Sequence, residues 1–345
     1  MPRHPISIRP TPFTDAGTVG RMQWSPDTSA GDWLRERIDD AYSASMHAVV
    51  PRGFPAYARI LHPASVRSMP GGAVPTPDEW EELSEDERSR LLDRFVDEPT
   101  TWAETAAAFG TTLHPLAQWQ RIVRTPVDGD WHTRISPDGR EFTAPVEGTL
   151  PHTLVSAIAS HLIAHTTTPD AGYAALWEGW GDLLGHLGHA PTWTAALAFG
   201  DDSTHRSMLG RSVRDPFNNV FRRPTWQEGI LSREISEGAR FRLPARDHVL
   251  FRGAVTEFAD PEWLLRVPWR DLPAEAHGLP PAAQSPSLVW PDDHAWVMVG
   301  EVDYDSTIVA GAHELVAALC ADDRLEAFPI RQDADLTWDA DEVNR

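Results

Sequence analysis

Phe54-Pro55-Ala56-Tyr57-Ala58-Arg59-Ile60-Leu61-His62 alternates aromatic, branched and small residues between Gly53 and Pro63. That pattern predicts a β-strand. Side chains alternate sides along a strand, so Tyr57, Arg59 and Leu61 share one face, and Ala56, Ala58, Ile60 and His62 the other. Five more strand-like segments follow much later, at 171–179, 248–254, 287–291, 295–303 and 325–330. Each is short and apolar, is bounded by turn residues, and cannot be stable alone. The early strand needs a sheet to join, so all six are expected in one sheet.

Helical signals dominate before residue 170. Trp33, Leu34, Ile38 and Val49 recur near helical spacing and predict a helix over 31–50. Ser84 with Glu87, and Thr101 with Glu104, have capping-box spacing and open helices to about 96 and 110. A further helix is expected over 116–123, and stronger ones over 151–166 and 311–321. Asp138-Gly139 marks a hairpin. Helices first and strands later indicate an α+β fold. The expected fold is a mostly antiparallel sheet of about six strands with helices packed on one side. Residues 1–30 read as an irregular N-terminal arm, 31–330 as a single α+β domain with an insertion at about 187–245, and 331–345 as an acidic C-terminal tail, frayed at its end.

The 345 residues carry 30 basic and 51 acidic side chains, a formal charge of −21. Phosphate contacts need a basic footprint, so nucleic acid is not an expected partner. Anionic lipid is disfavoured for the same reason. All 30 basic residues are arginine. Without lysine there is no Schiff base and no P-loop lysine. Cys320 is the only cysteine, which excludes an intrachain disulfide and multi-cysteine metal clusters. Residues 1–24 hold no apolar run of signal-peptide length, and no window approaches the ~20 apolar residues of a membrane span. A soluble cytoplasmic protein is expected.

Familiar catalytic signatures fail on context. Asp303-Tyr304-Asp305-Ser306-Thr307 fits a phosphatase nucleophile loop, but too few residues follow for the parallel sheet that chemistry needs. No G-x-S-x-G and no G-x-G-x-x-G occurs. His161 and His165 have zinc-ligand spacing, but their helix lacks the glutamate of HExxH. Both are expected to be neutral, at least half buried and free of metal. Glu301, Asp303 and Asp305 share one face if the 295–303 strand continues. They then require solvent, arginine partners or a divalent cation. Fifteen tryptophans supply core mass or an aromatic groove.

Several stretches together resemble a family of uncharacterised proteins common in actinobacteria. They are GFPAYARILHP (53–63), HTTTPD (165–170), WEGWG (177–181) and QSPSLVWPDDHAW (284–296), completed by Glu301-Val302-Asp303 and DRLEAF (323–328). The resemblance spans most of 31–330 and implies one fold; it implies no activity or cofactor. The stretch near 187–245 departs from the shorter family pattern.

Charges in otherwise apolar strands point to a surface at Tyr57, Arg59, Trp177, Glu178, Trp290, Glu301 and Asp303. A buried charge is costly unless paired, so Arg59 is expected to meet Glu178 or Glu301. The favoured function is a binding or interaction protein that uses this aromatic and acidic surface for a protein or small-molecule partner, with no cofactor or metal. The alternative is a hydrolase-like enzyme whose Glu301, Asp303 and Asp305 hold a divalent cation.

Overall fold

The computed structural model describes residues 21–40, 43, 45–127, 129–188 and 224–345. The N-terminal arm before residue 21 and most of the expected insertion, 189–223, lie outside the described residues.

The first expected strand is β2 (Ala56–Leu61), flanked by β14 (Ser306–Gly311) and β15 (Ala327–Ile330). From β14 the sheet runs through β13 (Val297–Val299), β12 (Leu288–Pro291), β7 (Gly172–Trp177) and β11 (Asp247–Gly253) to β1 (Gln23–Trp24). A short strand, β10 (Phe241–Arg242), also pairs with β11. Every pairing is antiparallel. The fold is α+β, and all six expected strands lie in this one sheet. It has nine strands rather than about six, because 23–24, 241–242 and 306–311 join it.

The sheet is buried on both faces. Ala58, Ile60, Ala174, Leu176, Val289, Met298 and Val309 pack into one cluster with the helices His152–Leu162 and His313–Cys320. The alternate residues Tyr57, Ala175, Trp290, Val297 and Ile308 pack on the opposite face. Irregular chain covers that second face, with Leu34, Met46, Val50, Ala334 and Leu336 buried against it. Burial on both sides explains why these strands read as continuous apolar runs.

Three expectations change here. Residues 31–50 do not form one helix. A single turn at Asp32–Arg35 is followed by a reversal, where Asp39 N bonds His47 O, and a 3-10 turn at Met46–Ala48. Leu34 is instead buried against the sheet, with Trp33 and Val49 partly buried beside it, a tertiary demand that outweighs weak local propensity. The 295–303 strand stops at Val299, because three acidic residues cannot continue into a sheet buried on both faces. The C-terminal tail is docked rather than frayed. Asp341 is fully buried and accepts from Gln118 N, Val343 N, Asn344 N and Asn344 Nδ2, with His114 Nε2 2.8 Å away.

A second sheet, absent from the sequence reading, has the order β4 (Val96–Thr100), β3 (Ala64–Ser68), β6 (Glu141–Thr143), β5 (Thr133–Ile135). Leu61, Trp102, Phe109, Trp119, Ile122 and Phe142 form its apolar cluster, with the helices Trp102–Phe109 and Trp119–Ile122. The hairpin at Asp138-Gly139 joins β5 to β6, with Gly139 at φ +84°. The strands β8 (His186–Gly188) and β9 (Thr225–Gln227) pair apart from both sheets.

Candidate functional site

The loop 300–305 between β13 and β14 organises the charged residues. It turns where Gly300 N bonds Ser287 O and Tyr304 N bonds Glu301 O. Gly148, at φ +65°, donates to Tyr304 O at 2.8 Å. A Cβ on Gly148 would lie 2.5 Å from Val302 Cα, so only glycine allows this close approach. Glu301, Asp303 and Asp305 therefore do not share a strand face; a turn distributes them between two arginines.

Arg59 is 1% exposed. Its Nε donates to Ser306 Oγ (2.9 Å), its Nη1 to Pro115 O (3.2 Å) and Ala117 O (2.8 Å), and its Nη2 to Asp305 Oδ1 (3.1 Å). Its guanidinium also lies 5.8 Å from the Trp102 ring centre. The ion pair expected with Glu178 or Glu301 is thus made with Asp305. The register explains this: β2 lies against β14, Ser306 faces Leu61, and Asp305 immediately precedes that strand. A buried guanidinium needs its donors filled, and backbone carbonyls supply what carboxylates do not.

Arg246 takes the other two carboxylates. Its Nε is 2.7 Å from Glu301 Oε1, its Nη2 pairs with Asp303, and its guanidinium sits 4.9 Å from the Trp177 ring centre. Burial pushes the Glu301 carboxyl up despite the arginine. Glu178 pairs separately with Arg240 at 2.8 Å. Tyr57 and Trp290 are sealed in the second face, where Tyr57 donates to Pro51 O and Trp290 stacks on Tyr173 at 5.3 Å. Of the seven residues expected at one surface, Trp177, Glu301 and Asp303 meet around Arg246.

His161 and His165 do not converge. His161 Nε2 lies 2.7 Å from Asp322, and His165 Nδ1 lies 2.8 Å from His161 O. The His161 side chain is 24% exposed and faces a carboxylate rather than a purely apolar stripe.

Asp303 and Asp305 also line a cleft of about 210 Å³. Trp119, Trp131 and Trp338 supply its aromatic walls, with Trp131 and Trp338 edge-to-face at 5.4 Å. Gln118, Gln120, Glu147 and Tyr304 add polar groups, and Arg59 lies at its base. Gln120 Nε2 donates to Trp338 O. Gln118 is only 6% exposed, and its Nε2 has no hydrogen-bond partner. Burial and the nearby Glu301 push the Tyr304 phenol up to about 12, so it stays protonated. The sequence reading missed Gln118, Trp119, Gln120, Trp131, Glu147, Tyr304 and Trp338. They come from separate segments with no shared local pattern. The available signal was tryptophan in polar surroundings, as in Asp-Gly-Asp-Trp131 and Thr-Trp338-Asp.

No family model, curated protein or solved structure matches the chain. Among the described residues, no group of three or more His, Cys, Asp or Glu is placed to hold a metal ion. No described helix is long and apolar enough to cross a membrane.

Proposed function

We propose that the protein is a binding protein that takes one small polar ligand in the cleft between Trp119, Trp131 and Trp338. The observation that carries this reading is the cleft itself, about 210 Å³, with Trp131 and Trp338 in its walls beside the polar residues Gln118, Glu147, Asp303 and Tyr304. Aromatic walls with a few convergent polar groups are the usual composition of a small-ligand site. The volume equals roughly seven waters at ~30 Å³ each, which favours a small molecule over a protein partner. Binding is favoured over hydrolysis because Glu301, Asp303 and Asp305 are engaged with arginines. The net charge of −21 argues against nucleic acid, and the lone Cys320 accords with a cytoplasmic setting.

The test is thermal melting of the wild type and Trp338→Ala against N-acetylarginine amide, choline, glucose, N-acetylglucosamine and succinate. At least one compound should raise the wild-type Tm saturably and fail to do so in the variant. No saturable shift with any of them removes the reading. Trp338 is half exposed, so the variant should fold normally.

A further inference from the structure

The small sheet ends in two unlike edges. β4 carries Asp97, Glu98 and Pro99, all exposed, and charge and proline on an edge strand block further pairing. β5 carries Thr133, Arg134 and Ile135 and pairs on one side alone, with β6. Hydrogen-bonded and non-bonded pairs alternate along an antiparallel ladder. His132 O accepts from Ala144 N, and Ser136 N donates to Arg140 O, so Thr133 and Ile135 turn their backbone groups outward. Among the described residues, Ile135 N, Ile135 O and Thr133 O make no hydrogen bond.

That edge opens into a groove of about 720 Å³, whose other wall comes from residues in 74–81 and 92–95. Val74, Trp80, Leu92, Phe95 and Ile135 line it with apolar surface, the Trp80 and Phe95 rings lying 6.2 Å apart. Leu92 is 55% exposed. Open apolar surface beside an unpaired edge is the arrangement that strand addition uses. Backbone bonds supply affinity there, and alternate side chains of the added strand fill the groove.

Arg134 sets the chemistry of the partner. It lies opposite Phe142, so its side chain stands on the face away from that of Ile135. Among the described residues it makes no ion pair or ring contact, its Nε is buried without an acceptor, and it is partly exposed. Arg67, two strands away, is by contrast paired with Asp97 at 2.8 Å and Glu141 at 3.4 Å. A strand added to β5 places one side chain directly beside Arg134, with about 4.5–5.5 Å between Cβ atoms, where opposite charges attract.

We propose that β5 is a docking edge for an extended segment of a partner protein with the pattern apolar–acidic–apolar. The two apolar side chains enter the groove beside Thr133 and Ile135, and the carboxylate pairs with Arg134 on the other face. The groove shares no lining residue with the tryptophan cleft, so the proposal stands or falls apart from that reading.

Fluorescence anisotropy with three blocked, dye-labelled peptides tests it: Thr-Val-Glu-Val-Thr and its versions with Gln or Lys at the centre. The glutamate peptide should bind saturably, about threefold to fivefold tighter than the glutamine peptide, with the lysine peptide weakest. Arg134→Gln should level the glutamate and glutamine peptides, and Arg134→Glu should make the lysine peptide the tightest. Ile135→Pro removes an outward N–H without touching a bond between β5 and β6, so it should keep its Tm and lose all three peptides. Ile135→Val should bind as the wild type does. Hydrogen exchange over 133–136 should slow when the glutamate peptide is present. Binding without this charge order, or binding that survives in Ile135→Pro, overturns strand addition at β5. No saturable binding of the glutamate peptide also overturns the proposal, and leaves Arg134 as a charge that guards an open edge.

Discussion

Arg59 donates to Asp305 at 3.1 Å from a position where 1% of its side chain reaches solvent. The same guanidinium holds the carbonyls of Pro115 and Ala117, which precede the helix Trp119–Ile122. One side chain of the large sheet therefore ties down the segment that brings Gln118 and Trp119 to the cleft. Arg59→Met should cost about 3 kcal/mol, since it leaves a mostly buried carboxylate and two carbonyls without their donor. Asp305 is 20% exposed and can recover some hydration, which keeps the loss at the lower end. Urea denaturation measures it; a change below about 1 kcal/mol would show that Arg59 is not a structural tie.

Gly148→Ala should be more damaging than its size suggests. The new methyl meets Val302 backbone at 2.5 Å, and the residue must hold φ +65°. The loop 300–305 must then shift, at about 2 kcal/mol or more. Gly71→Ala is the control, because Gly71 also has positive φ but nothing within 4 Å of an added Cβ. The control should lose about 1 kcal/mol. Equal losses in the two variants would mean that the loop does not rest on Gly148.

His248 is 4% exposed, and burial lowers its imidazole from 6.5 to about 4. The unfolded chain binds this proton below pH 6.5, whereas the folded chain resists until about 4. Stability from the neutral ring is complete above pH 6.5 and is lost as pH falls to about 4, by up to about 3 kcal/mol. His62, also lowered by burial, adds to the same slope. His248→Leu should flatten the curve of stability against pH between 6.5 and 4 without abolishing it. An unchanged slope would assign the effect elsewhere.

Asp341 receives backbone donors from Gln118, Val343 and Asn344 and lies 2.8 Å from His114 Nε2. Burial acts to raise its carboxyl, but the hydrogen bonds from Asn344, His114 and Gln118 outweigh it and hold the group below the usual aspartate value. Its contribution is present above the unfolded aspartate pKa of ~3.9 and is lost as pH falls through the lower folded value. Asp341→Asn turns an acceptor-only group into one that presents N–H to a ring of donors, at about 2 kcal/mol. Hydrogen exchange should accelerate over 334–344, and the Trp338 wall of the cleft should loosen with it. Unchanged protection there would contradict the docking role.

The strand at 54–62 was legible because apolar alternation and flanking turn residues are local properties. So were the caps at Ser84 and Thr101 and the Asp138-Gly139 turn, where a few adjacent residues satisfy one another. The second sheet was not legible. Val96, Asp97, Glu98 and Pro99 in β4 are exposed and show no alternation, and their strand character exists only through pairing with β3.

The amino-acid sequence by itself determined the six apolar strands, their separation by turns, the acidic balance and the absence of lysine chemistry, because each depends on composition or on neighbours in the chain. It also required that Arg59, Glu301, Asp303 and Asp305 find partners if buried, but not which ones. Tertiary structure alone decided that Asp305 goes to Arg59 and that Glu301 and Asp303 go to Arg246. The same holds for the cleft, whose walls come from residues 118–147, 303–305 and 336–338. Partner choice between distant charges depends on strand register and loop position, and a shift of one residue in a strand turns every side chain to the opposite face.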